Sequence, residues 1–172
     1  ADLDSIHETF SLLDSSKPDV IINLIGLTDV DRCETKPNEA YRANVRTLEH
    51  ITSWIRQSAK RCHLVHISTD QVYDGHGPHE ENNVTLSNYY AFSKYAGELA
   101  AKRLPSTILR TNFFGRSHCS KRVSFTDWLF CSLLNGDAIQ VFDDVLFSPL
   151  TMSKLSEMID HVIQQKPIGV FN

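Results

Sequence analysis

The stretch HLVHISTDQVYDG, His63 to Gly75, decides the fold. His63 to Ser68 is an apolar run rich in β-branched residues. It lacks the alternation of a half-exposed strand, so it reads as a strand buried on both faces. Directly after it come two hydroxyls, a carboxylate and an amide: Ser68, Thr69, Asp70 and Gln71. A polar cluster at the end of a buried strand is a poor place for mere solvation. The same design recurs on either side. VIINLIG, Val20 to Gly26, is a second run without alternation, and a polar segment to Asp31 follows it. STILRT, Ser106 to Thr111, is a third, continuing into NFFG, Asn112 to Gly115.

Helical signals separate these runs. Ser5 and Glu8 form a capping-box pattern ahead of Ile6, Phe10 and Leu13, and Lys17-Pro18 stops that helix. Pro37 suits a first helical turn, with Ala40, Leu48, Ile51 and Ile55 on one face. A third helix is predicted from about Asn88 to Arg103, before Pro105. FTDWLFCSLLNG gives a fourth, with Gly136 placed to terminate it. AIQVF, Ala138 to Phe142, reads as a short strand. Leu155, Met158, Ile159, Val162 and Ile163 stripe a last helix, and IGVFN begins another strand. Alternating helices and buried strands predict an α/β fold, a doubly wound parallel sheet of Rossmann-like type. Ligands of such sheets sit beyond the carboxyl ends of the strands. The three polar segments fall there. The sheet also reads as incomplete, because the chain starts at the tail of one unit and stops on a strand-like run. One domain over residues 1–172 is expected.

Composition narrows the function. With 172 residues, 41% hydrophobic and 22% charged, the chain has an ordinary globular balance. A net charge of −4 without a basic block gives no electrostatic footprint for nucleic acid. No apolar run approaches the roughly 20 residues of a membrane span, and the first residues have no signal-peptide pattern. The four cysteines are scattered without a CxxC, and the eight histidines show no ligand spacing. Reduced thiols in a cytoplasmic protein, without a metal site, are the expectation.

Tyr90 and Lys94 stand four apart in NYYAFSKYAGE, on one face of the third helix. An ammonium beside a phenol favours the phenolate, and such a tyrosine exchanges protons with a carbonyl or alcohol oxygen. Tyr-x-x-x-Lys alone is a weak signal. A strand ending in Ser68-Thr69 before it makes a hydroxyl–Tyr–Lys constellation. Asn44 falls on the apolar face of its helix, where a buried amide must find partners. Spacing alone favours a structural hydrogen bond there; the alternative is a water-ordering role beside the lysine.

The ordered segments KPDVIIN, TDVDRCE, AYRANV, HISTDQVYDG, YYAFSKYAGE, ILRTNFFG and DDVLFSPLTMSKLSEMI resemble the extended short-chain dehydrogenase/reductases. They are most similar to the dTDP-4-dehydrorhamnose reductase-like, sugar-nucleotide branch. The resemblance covers nearly the whole chain. It implies a catalytic Thr69, Tyr90 and Lys94, with Asn44 near the proton relay. It implies cofactor contacts from Gly26, Ser68, Tyr90, Lys94 and Asn112, and substrate contacts from Thr69, Gln71, Phe113 and Phe114. Residues from about 112 to 172 would include parts of the substrate-binding region. The implied cofactor is NADP or NAD, the implied substrate a nucleotide sugar, and the family admits a homodimer.

Two departures sharpen the resemblance. None of the seven glycines forms the Gly-rich dinucleotide fingerprint, which the family carries in its first βαβ unit. The chain is therefore expected to lack that unit and the C-terminal part of the substrate region, and to bind cofactor poorly by itself. Gln71 stands where related dehydratases carry a glutamate. An amide does not titrate usefully, so dehydration is disfavoured and reduction or epimerisation remains. Rhamnose-type reductases often place an aromatic residue at that position. A non-catalytic binding protein is the further alternative, because the regulatory β-subunit of methionine adenosyltransferase resembles the same branch.

Overall fold

The computed structural model describes residues 1–58, 61–119, 123–145 and 147–172. Two compact units result: 1–110 with 162–172, and 111–161. The first unit contains α1 (Ile6–Ser16), β1 (Val20–Asn23), α2 (Val30–Thr35), α3 (Pro37–Tyr41), α4 (Thr47–Gln57), β2 (His63–Thr69) and α5 (Tyr89–Ala101). β3 (Ser106–Phe114) crosses the boundary at its carboxyl end. β5 (Gly169–Phe171) returns to the first unit. The sheet order there is β1-β2-β3-β5. β1 runs parallel to β2, with Asn23 opposite His66, and β5 runs parallel to β3.

Local chemistry explains the helix boundaries. Ser5 Oγ accepts from Glu8 N–H, while Glu8 reaches back to the Asp2 amide at 2.7 Å, one turn beyond the usual partner. Lys17 ends α1 in the left-handed region. Asp29, unremarked in the sequence pattern, caps α2 by accepting from Arg32 N–H. Pro37 opens α3 as the spacing predicts. A π-helical turn, Arg42–Arg46, then joins α3 to α4. Asn88 caps α5 through Ala91 N–H at 2.8 Å.

β2 has a neighbour on each side, which is why it is buried from Leu64 to Thr69. Leu64 and Ile108 of the sheet pack with Leu13 of α1, Leu48, Ile51 and Trp54 of α4, and Ala100 and Ala101 of α5. Each fully buried aliphatic side chain contributes roughly 1.5–3 kcal/mol. The Trp54 indole donates to the exposed Asp14 at the edge of this core, at 2.8 Å.

Four sequence expectations change. The run after α1 is strand only to Asn23, and Leu24 to Gly26 form a loop. β1 is also not buried on both faces. Among the described residues its one sheet neighbour is β2, and Ile22 is 38% exposed. AIQVF is no strand: Val141 and Phe142 are exposed and pair with no neighbouring strand in the described residues. β3 is longer than STILRT, because Asn112 to Phe114 pair in parallel with the unforeseen β4 (Pro149–Thr151).

In the second unit, α6 (Phe125–Asn135) is capped by Ser124 and ends at Gly136, φ 73°. α7 (Met152–Gln165) follows β4 and crosses back to the first unit at Val162. No described helix is long and apolar enough to cross a membrane.

Candidate active site

The carboxyl ends of β1 and β2 and the start of α5 converge on one cluster in the first unit. β2 delivers Thr69 at its last residue. The chain then turns through a 3-10 segment, Asp70–Val72, in which Thr69 Oγ1 accepts the Gln71 N–H at 3.2 Å. α5 presents Tyr90 in its first turn and Lys94 one turn later, as their spacing demands. Both are buried, as are Thr69, Ser68 and Asn44.

The Tyr90 ring lies against Cys33 of α2 and Ala40 of α3. Burial pushes its phenol above the ordinary value. A hydrogen bond with Thr69 offsets part of that, and the nearby Asp70 and Cys33 add to the rise. Lys94 is not what sets this phenol. Its ammonium donates instead to Ile67 C=O of β2, at 2.8 Å. Burial drives Lys94 down to about 8, opposed by the Glu98 carboxylate one turn further along α5. The tyrosine thus departs from the sequence expectation of a phenol eased toward phenolate. An apolar enclosure dominates over a cation already bonded elsewhere.

Asn44 takes the structural option in this structure. Its Oδ1 accepts Leu27 N–H at 2.7 Å, and its Nδ2 donates to Leu27 C=O at 3.1 Å and to Ser93 Oγ at 2.8 Å. Ser93 in turn donates to Tyr90 C=O. The π-turn at Arg42–Arg46 carries Asn44 into this position, a device common at functional sites. Gly26 is drawn into the same cluster. A Cβ there would stand 3.1 Å from Asn44 Oδ1 and 3.6 Å from Lys94 Nζ. Glycine therefore keeps open the space beside the lysine.

Ser68 faces elsewhere. Its hydroxyl donates to the buried Glu98 at 2.5 Å, so it belongs to an ion-pair network as well as to the strand end. Glu98 forms a two-point pair with Arg110 of β3, at 2.9 and 2.7 Å. Gln71 is exposed on the turn. Asn112, Phe113 and Phe114 belong to the second unit, on the part of β3 paired with β4, and the two rings are about half-exposed.

Sequence reasoning missed Ser93, Glu98, Arg110, His66 and Asn23. The signal for Glu98 was its place four residues after Lys94, on the buried face. For Arg110 it was a charge inside an apolar strand, which demands a partner. His66, equally polar inside HLVHIS, carried the same message.

The residues fit the nicotinamide-riboside part of a dinucleotide. Lys94 has three donors and uses one on Ile67 C=O, and the side-chain-free Gly26 lies beside it. No group of three or more acidic, histidine or cysteine side chains suited to a metal occurs among the described residues.

Known proteins share this arrangement of chain. The dTDP-4-dehydrorhamnose reductase of Aggregatibacter actinomycetemcomitans is 28% identical over 98% of this chain and 57% of its own length. A crystal structure of a hypothetical dTDP-4-dehydrorhamnose reductase from Sulfolobus tokodaii superposes with a TM-score of 0.88. It is 30% identical, over 99% of this chain and 60% of that one. The Bacillus anthracis dTDP-4-dehydrorhamnose reductase, solved in complex with NADP, gives a TM-score of 0.87 and 27% identity, over 99% of this chain and 61% of that one. The chain thus spans about 60% of the length of these relatives. The profile of the RmlD substrate-binding domain matches residues 1–171, and the chain belongs to that family.

Proposed function

We propose that this chain carries the proton-transfer half of an NAD(P)H-dependent reductase acting on a keto group of a nucleotide-linked deoxy-sugar. One observation carries the reading: Thr69 at the end of β2 and Tyr90 and Lys94 on α5 are buried together in one cluster, with the Gly26 opening beside the lysine. The named relatives, one of them solved with NADP, support the substrate and cofactor class.

The roles follow from the chemistry of each group. Tyr90 donates its proton to the oxygen that becomes the alcohol. A phenol held above its ordinary value stays protonated near neutral pH, which suits donation and therefore reduction. Thr69 supplies a second hydrogen bond to the same oxygen, where negative charge develops. Lys94 holds the ribose with the donors it does not spend on Ile67. When bound, the nicotinamide supplies the hydride; the protein supplies orientation and electrostatics. Gln71, at the exposed turn after Thr69, is available to the sugar but cannot act as the base a dehydration needs. Phe113 and Phe114 are assigned substrate contacts in this reading by the family resemblance. Four free cysteines suit a cytoplasmic protein.

The test is NADPH oxidation by the full-length protein with a panel of 4-keto-6-deoxy nucleotide sugars. Turnover is expected with at least one, and Tyr90→Phe is expected to lower kcat by about 10³-fold while NADPH affinity stays within about twofold. Absence of NADPH oxidation with every sugar overturns the reading. Equal turnover in the variant removes Tyr90 as the donor.

A further inference from the structure

His66 is fully buried at the centre of β2, directly before Ile67, whose carbonyl Lys94 holds, and the chemistry above does not use it. Its Nδ1 lies 3.1 Å from Asn23 Nδ2, on the last residue of β1. Its Nε2 is buried without a hydrogen-bond partner. The tautomer follows from the next link. Ile25 N–H donates to Asn23 Oδ1 at 3.3 Å, which fixes the carboxamide with its oxygen toward the loop and its NH₂ toward the ring. A donor facing Nδ1 requires a bare Nδ1, so the proton sits on Nε2.

The loop after β1 is therefore held at two points. Asn23 takes Ile25 N–H, and Asn44 takes both the N–H and the C=O of Leu27. Between them lies Gly26, beside Lys94. The two clamps differ in kind. Asn44 is secured by Ser93, whereas the Asn23 amide has His66 behind it.

We propose that His66 is a positioning residue: as a neutral imidazole protonated on Nε2, it orients Asn23 so that the backbone at Ile25, and with it Gly26, stays fixed beside Lys94. Burial keeps this imidazole well below its ordinary value. The Lys94 charge acts in the same direction, and a hydrogen bond with the Asn23 backbone, distinct from the side-chain contact, opposes them. Neutrality is what lets Nδ1 accept, since a charged ring would turn a second donor toward the Asn23 amide. The cofactor-facing role of this loop rests on the reductase reading above. The clamp itself does not, so its test needs no cofactor.

Two measurements on the chain decide the matter. Nitrogen-15 shifts of the His66 ring in the wild-type protein are expected to show a neutral ring with Nδ1 bare and Nε2 protonated. An imidazolium at pH 7, or the opposite tautomer, overturns the proposal even if no variant folds. Amide hydrogen exchange is then compared in His66→Phe, which keeps a ring but no acceptor, and His66→Asn, which restores an acceptor near the Nδ1 position. Exchange at Ile25 is expected to rise at least about tenfold in the first and to recover in the second, with Leu27 unchanged in both. Unchanged exchange at Ile25 in a folded His66→Phe protein, or equal rises at Ile25 and Leu27, overturns it. If the clamp is confirmed but NADPH affinity is the same when the three residues at position 66 are compared in the full-length protein, the reductase reading of the loop fails and the clamp stands.

Discussion

At the scale of single residues, Lys94 shows the tension between stability and chemistry. Its side chain is buried with one backbone carbonyl for a partner, and its value falls from 10.5 to about 8. An amine whose folded value is depressed destabilises the fold wherever the unfolded chain holds its proton more tightly. That penalty, about 3 kcal/mol by the size of the shift, is complete below pH 8 and fades as pH rises toward 10. Lys94→Met is therefore expected to be more stable than the wild type at pH 7 and to lose that advantage by about pH 10. Urea midpoints across this range measure it. An advantage that does not shrink with pH would mean that the lysine charge is not the cause. The same substitution should abolish turnover, which separates what the site needs from what the fold prefers.

At the scale of elements, the π-turn and α5 form the joint that aligns the site. Gly97 on α5 lies against the backbone of the π-turn. A Cβ there would collide with Asn44 C=O and stand 3.0 Å from Leu48 Cδ1. Neither neighbour can swing away, because one is backbone and the other is in the core. Gly97→Ala is expected to cost about 2–3 kcal/mol despite alanine's better helix propensity, and to disturb Asn44 and Lys94 together. Gly136→Ala, at φ 73° in open space, should cost only about 1 kcal/mol through backbone strain. Thermal or denaturant melting of both variants checks the contrast; similar losses would show that close packing at Gly97 is not decisive. This joint was only half legible in the sequence. The Tyr90–Lys94 spacing and the Asn88 cap follow from the helical period and local hydrogen bonding. A π-turn leaves no periodic mark in so short a stretch. α2 was hidden because its cap, Asp29, sits in a segment whose polarity also suits a ligand loop. AIQVF failed for the complementary reason: β propensity names no pairing partner.

At the scale of the whole first unit, the alternation of buried runs and amphipathic helices was enough to read an α/β sheet, because that pattern repeats. The pairs that cross the unit were not readable, because each needs two residues far apart in sequence to be known as neighbours. Glu98 and Arg110 are the clearest example. Arg110 joins Glu98 of α5 to Tyr73 OH at 2.6 Å and to Glu81 C=O at 2.8 Å, and Tyr73 continues to Asn172 at 2.7 Å. Ser68 enters the same network through Glu98. One guanidinium thus ties the residue before Thr69, the loop after it, and the last residue of the chain. Desolvating the pair costs so much that its net contribution is small, but removing one partner strands a buried charge. Arg110→Met is therefore expected to lose about 3–5 kcal/mol. The double variant Glu98→Leu with Arg110→Met should recover part of that loss, since neither member of the pair is then stranded, while Lys94 and Lys102 lose the Glu98 carboxylate. Exchange of the amides between Tyr73 and Glu81 should accelerate in both, because the Glu81 carbonyl and the Tyr73 hydroxyl lose the same donor either way. Equal stability losses in the single and double variants would show that Arg110 acts through packing rather than charge. Protection that persists over 73–81 would show that the loop is held by something other than the guanidinium.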